Sequence, residues 1–223
     1  MAAKKQAKPA KEAGAVKALF YLLFLIDLVL TAAAIALYYN GTLSMVNGEV
    51  YSSIGLSFIF PLITISYLML KGMTLKQIVR EVGLSRDKFT GKAMMLGIAM
   101  FIAILVIEIL LGVASSVSGV QLPTNVQELL GGTPLYFLLF GAFISPINEE
   151  IFFRGFLVKR IGIILSALVF MIFHAGYGSA AEFLGALAFG LIAGYIFKKT
   201  ESLYATILGH MLVNLLTVLA LIF

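Results

Sequence analysis

The residues with chemical potential stand in one stretch, Pro146-Ile147-Asn148-Glu149-Glu150-Ile151-Phe152-Phe153-Arg154-Gly155, inside a long apolar run. Two adjacent carboxylates and an arginine are costly at membrane depth, where charged groups face a bundle interior or a watery cavity and usually carry function. On a helix, Glu150 and Arg154 are four apart and share a face, so they can pair. Glu149 is turned by about 100° from Glu150 and can point elsewhere. The competing reading is an ion cluster where a helix end meets water.

Further polar groups lie in other apolar runs. His174 ends Phe170-Met171-Ile172-Phe173-His174, and His210 and Asn214 belong to His210-Met211-Leu212-Val213-Asn214. The chain has only two histidines, and both fall in apolar segments. Phe170 shares a helix face with His174 and can brace its ring; His210 and Asn214 share theirs. A carboxylate, two imidazoles and a carboxamide suit the attack of water on an amide. Glu149 would serve as general base. A histidine would share the water or protonate the leaving amine. His210 and Asn214 could donate to the developing oxyanion, where one donor in a dry site is worth about 2.7–4 kcal/mol.

The same residues allow a second chemistry. Two histidines, a glutamate and a water form a catalytic zinc set, which here would be Glu149, His174 and His210. The His-Glu-x-x-His helix of common zinc proteases is absent, as is Gly-x-Ser-x-Gly. With no cysteine, thiolate nucleophiles, disulfides and cysteine-ligated metals are excluded. Asp27 and Glu108 are also intramembrane carboxylates. They lack a spacing partner and read as helix–helix hydrogen bonds, or for Glu108 as an interface position.

Composition says what must hold these groups. The chain is 61% hydrophobic and 12% charged, with mean hydropathy +1.04. A soluble domain is roughly 45–50% apolar and about 25% charged. The expected fold is all-α, a polytopic membrane bundle. Apolar runs at 18–39, 53–70, 93–113, 135–153, 161–175, 183–197 and 203–223 give about seven transmembrane helices. Residues 1–17 read as a basic flexible tail. Residues 18–223 read as a single transmembrane domain, with the catalytic core at about 134–223. Pro61 should kink the second span. Residues 74–80 mix apolar and basic side chains as an interfacial amphipathic helix does. Small residues from Gly185 to Gly194 let the sixth span approach its neighbours closely.

Charge placement orients the bundle. All 16 Lys and Arg fall within 1–17, 71–92, 154–160 and 198–199. The alternate loops carry Glu49, Glu128 and Glu182 instead. Basic loops stay cytoplasmic, so the N-terminus is expected inside and the C-terminus outside. The net charge of +5 follows from these loops and does not point to nucleic acid. The natural location is a cell (plasma or inner) membrane, with the lipid bilayer as partner. One difficulty arises with straight spans. At 1.5 Å per residue, Glu149 and His210 lie about 8 and 10 Å from the cytoplasmic face, and His174 about 20 Å. The conflict eases if the fourth helix runs on to Lys159 and the fifth starts deep or tilts strongly.

Glu149-Glu150-x-x-x-Arg154, Phe170-x-x-x-His174 and His210-x-x-x-Asn214, in this order, resemble the three motifs of the CPBP (CAAX-protease and bacteriocin-processing, Abi) family of intramembrane proteases, which includes Rce1-type CAAX endopeptidases. The resemblance covers about 134–223. It implies that Glu149 and His174 activate water, that His210 and Asn214 line the oxyanion site, and that Glu150 and Arg154 are supporting. It implies a peptide or prenylated protein as substrate, with prenylated CaaX-type C-termini, bacteriocin leaders and membrane-protein tails all open. The family has been described both as metalloproteases and as glutamate-dependent, so it leaves zinc open. Rce1-type members tend to have eight spans. A transporter is disfavoured by the few polar groups and the lack of a repeated half. A catalytically silent scaffold of the same fold is disfavoured by the intact motifs.

Overall fold

The computed structural model describes residues 10–40, 45–118, 132–175 and 180–223. Lys4, Lys5, Lys8 and Glu128 lie outside them. Among the described residues all regular structure is helical. Helices α1 (Ala10–Tyr39) and α2 (Met45–Leu70) pack on each other. Helix α1 begins within the basic N-terminal stretch, and its apolar side chains, such as Leu22, Leu25 and Leu30, stay exposed as lipid-facing groups do. Helix α2 continues through Pro61.

The short helix α3 (Leu75–Glu81) matches the expected interfacial segment. Thr74 and Gln77 close its N-terminus as a capping box. Ile78 faces the core while Leu75 and Val79 are exposed. Helix α4 (Gly91–Ser118) follows. Helix α5 runs from Leu135 to Val158 through stretches Leu135–Leu139, Phe140–Ile144, Ser145–Glu150 and Ile151–Val158, of which the second and fourth are π-helical. It leads into α6 (Lys159–Phe173), and α7 (Ala180–Thr200) and α8 (Leu203–Ile222) complete the bundle.

By length and composition, six helical segments can cross a membrane, and the fourth, Leu135–Phe173, is 39 residues long. That segment is not straight. Gly162 has φ 81° and ψ 175°, a backbone region essentially reserved for glycine. The chain folds back there. Ser166 Oγ donates to the Phe153 carbonyl at 2.7 Å, and the Phe153 and Phe170 rings meet at 4.9 Å. An unbroken helix would hold Phe153 and Phe170 about 25 Å apart. The two runs expected as spans four and five are thus antiparallel arms of one segment. The depth difficulty of His174 is relieved in the same way: the helix carrying Glu149 continues to Lys159 and beyond before it reverses.

The last three helices pack tightly. A Cβ on Gly190 of α7 would lie 2.9 Å from both Cα and Cβ of Ala167 on α6, which is the close approach expected of the small-residue stripe. Met100, Ile104, Phe153, Phe170 and Phe189 form one buried cluster beneath the site. At the other end, Leu203 N–H donates to the Gly83 carbonyl and Tyr204 Oη to Leu84, tying the connection after α3 to the start of α8.

Candidate active site

Glu149 and Glu150 end the stretch Ser145–Glu150 of α5, and the two carboxylates diverge as the helix geometry requires. Glu150 is fully buried and accepts from Arg154 Nη1 at 2.7 Å, one helical turn away; Arg154 itself is 1% exposed. The guanidinium lies over the rings of Phe170 at 4.3 Å and Phe189 at 4.9 Å, a favourable setting for a desolvated cation. An ion cluster at a wet helix end does not describe this pair. Breaking such a buried pair leaves an uncompensated charge.

Glu150 has a second partner. His210 Nδ1 lies 3.0 Å from the same oxygen, Oε1. The carboxylate can only accept, so Nδ1 carries the hydrogen. The other ring nitrogen, Nε2, lies 4.0 Å from Glu149 Oε2. That oxygen is buried and accepts no hydrogen bond. Glu149 Oε1, by contrast, accepts from Ser145 Oγ at 2.6 Å. At that separation a single water could bridge Oε2 and Nε2 at about 2.8 Å from each.

His174 Nδ1 meets the Phe170 carbonyl at 2.9 Å, and the two rings are 4.3 Å apart, so Phe170 braces the imidazole. A carbonyl only accepts, so here too Nδ1 is the donor and Nε2 is the other contact atom. His174 lies within electrostatic reach of Glu149, His210 and Arg154. Phe170 also borders His210, with ring centroids 6.0 Å apart.

Asn214 is one turn beyond His210 on α8. Its Nδ2 donates to the Gly141 carbonyl at 2.9 Å. Pro146 lacks an N–H, so the carbonyl five residues upstream, within the π-helical turn, cannot be satisfied from position 146. Asn214 supplies that donor, and its amide group retains a second hydrogen.

Three residues of this network carry no motif signal: Ser145, Ser57 and Asn148. Ser145 stands four before Glu149, a spacing that could have identified it. Ser57 comes from α2, and only the tertiary packing brings it here. Asp27 lies on α1, outside this cluster, with a buried Oδ2 that has no hydrogen-bond partner. Glu108 and Glu182 line a separate cavity of about 270 Å³ between α4, α7 and α8.

A zinc ion on these residues would require Glu149 and His210 to draw closer together. Tetrahedral bonds of about 2 Å bring ligand atoms to about 3.3 Å of one another, whereas Glu149 Oε2 and His210 Nε2 are 4.0 Å apart. Among the described residues no three His, Asp or Glu side chains are grouped as metal ligands.

Residues 131–216 match the family model described as Type II CAAX prenyl endopeptidase Rce1-like. No curated protein and no solved structure matches the chain. The matched stretch contains Glu149, Glu150, Arg154, Phe170, His174, His210 and Asn214, and so every member of the three motifs. By length and composition the chain is a multi-pass helical membrane protein, and its residues 131–216 are similar to the Rce1-like Type II CAAX prenyl endopeptidases.

Proposed function

We propose that the protein hydrolyses a peptide bond near the C-terminus of prenylated CaaX-type proteins, using a water activated by Glu149 and no metal ion. The observation that carries this reading is the facing pair of Glu149 Oε2 and His210 Nε2, 4.0 Å apart in a buried setting, with Oε2 accepting no hydrogen bond.

A water between these atoms gives its proton to Glu149 Oε2 as its oxygen forms the new bond to the scissile carbonyl carbon. The carbonyl electrons move onto oxygen. His174 shares the water. As an imidazolium, protonated on both ring nitrogens, His210 donates to the oxyanion from Nε2, held in that orientation because Nδ1–H is bound by Glu150. The second hydrogen of the Asn214 amide completes the oxyanion site. One such donor lowers the barrier by about 2.7–4 kcal/mol. When the tetrahedral species collapses, the C–N bond breaks and the proton on Glu149 passes to the leaving amine. Glu149 thereby returns to its starting state. Glu150 and Arg154 support the site from beneath.

The basic segments support a site that opens toward the cytoplasmic face of a plasma or inner membrane. The test is incubation of the purified protein with a farnesylated CaaX peptide and with its unprenylated counterpart. Endoproteolytic release of the terminal residues from the farnesylated peptide is expected. Cleavage of neither peptide contradicts the assigned substrate.

A further inference from the structure

We propose that Asn148, Ser57 and Ser145 form a one-way hydrogen-bond relay that selects which oxygen of Glu149 faces the reacting water. The inference rests on the reading of Glu149 as the base and adds three positioning residues to it. Asn148 Nδ2 donates to Ser57 Oγ at 3.0 Å. Ser57 Oγ donates to Ser145 Oγ at 3.3 Å. Ser145 Oγ donates to Glu149 Oε1 at 2.6 Å.

The direction is set from both ends. An amide NH₂ can only donate and an ionised carboxylate can only accept. Each hydroxyl must therefore accept from behind and donate forward, toward Glu149. Hydrogen bonds so aligned polarise one another, and the effect is larger where water is excluded. Asn148 is 6% and Ser57 4% exposed, so water does not compete there.

The relay also crosses between helices. Asn148 and Ser145 both belong to α5, about one turn apart, while Ser57 belongs to α2. Ser57 thus fastens the turn that carries Glu149 to its neighbour. With Oε1 held, the side chain cannot rotate freely, and Oε2 remains as the oxygen opposite His210. A water-activating carboxylate needs that fixed geometry, because small misplacements of a reacting group are expensive in rate.

The test uses the full-length purified protein and two readouts. The first is single-turnover cleavage of the farnesylated CaaX peptide. Hydrogen bonds to charged groups are worth about 1.5–3 kcal/mol, so Ser145→Ala should lower the rate constant about 10–100-fold with KM within about twofold. Ser145→Thr, which keeps the hydroxyl, should retain most of the rate. Ser57→Ala should act in the same direction but add little in the Ser145→Ala background, because the relay is already cut. Additive losses, or a Ser145→Ala protein with normal turnover, overturn the proposal.

The second readout needs no substrate. The antisymmetric carboxylate band of Glu149 is identified in the infrared spectrum as the band lost in Glu149→Gln. It should shift in Ser145→Ala and stay in place in Ser145→Thr. An unmoved band, or no carboxylate band lost, overturns the relay. Failure of the base reading looks different: Glu149→Gln stays active, whatever the band does.

Discussion

His210 and Glu150 are hydrogen-bonded at 3.0 Å across 60 positions of sequence, and the oxygen that joins them is the one that also binds Arg154. Glu150 therefore has two separable duties. It neutralises a buried guanidinium, and it fixes the ring of His210. Glu150→Gln keeps an acceptor for Nδ1–H but leaves Arg154 unpaired. It should cost about 3–5 kcal/mol in detergent unfolding while activity falls less than for Glu149→Gln. Glu150→Leu combined with Arg154→Met should recover stability yet still lose about 10–100-fold in rate, since His210 has no acceptor. Thermal unfolding beside single-turnover kinetics separates the two. Full recovery of both in the double variant would remove Glu150 from the orientation of His210.

The reversal at Gly162 brings α6 back along α5 and with it Phe170 and His174. Its φ of 81° with ψ of 175° is closed to L side chains. A Cβ at Gly162 would meet no neighbour within 4 Å, so the cost of Gly162→Ala is conformational rather than steric. It should be about 1–3 kcal/mol, read as a lower unfolding temperature. An unchanged unfolding temperature would mean that the reversal tolerates another conformation.

The distribution of Lys and Arg makes a topological prediction. A reporter at the C-terminus should read as external, and one inserted at Lys88 as cytoplasmic. A cytoplasmic C-terminus would contradict the expected orientation, in which the two arms of Leu135–Phe173 count as separate crossings.

Some of this molecule was legible in its sequence, and the reasons are physical. The helical class and the apolar segments follow from composition and length. The Glu150–Arg154 pair follows from i,i+4 spacing, and Phe170 beside His174 follows from the same rule. The interfacial helix, expected at 74–80 and observed at Leu75–Glu81, follows from apolar and basic side chains mixed at helical spacing. What stayed hidden needs tertiary contacts. Nothing in the spacing of Ser57 reveals that it faces Ser145. Neither does the spacing of His210 say which glutamate holds its Nδ1. Ser145, which lies one turn before Glu149 and donates to it, also went unread. Asn214 was read only as an oxyanion donor, because its bond to Gly141 depends on a π-helical turn. Such turns are local insertions that hydrophobic periodicity does not register.

The proposed hydrolysis uses protein groups alone. Turnover should survive prolonged treatment with a strong chelator, measured with the same peptide before and after. Loss of activity on chelation, restored by added zinc, would replace this mechanism with a metal-dependent one.

The role of Glu149 as general base is tested most directly by single-turnover cleavage by Glu149→Gln beside the unmodified protein. The substitution is nearly isosteric, and the buried Glu150–Arg154 pair is untouched. The protein should remain folded, with an unfolding temperature close to that of the parent, while the rate constant falls by about 10²–10⁴. A Glu149→Gln protein that turns over at a near-normal rate, while Glu150→Gln abolishes turnover without loss of stability, would place the base on the other carboxylate.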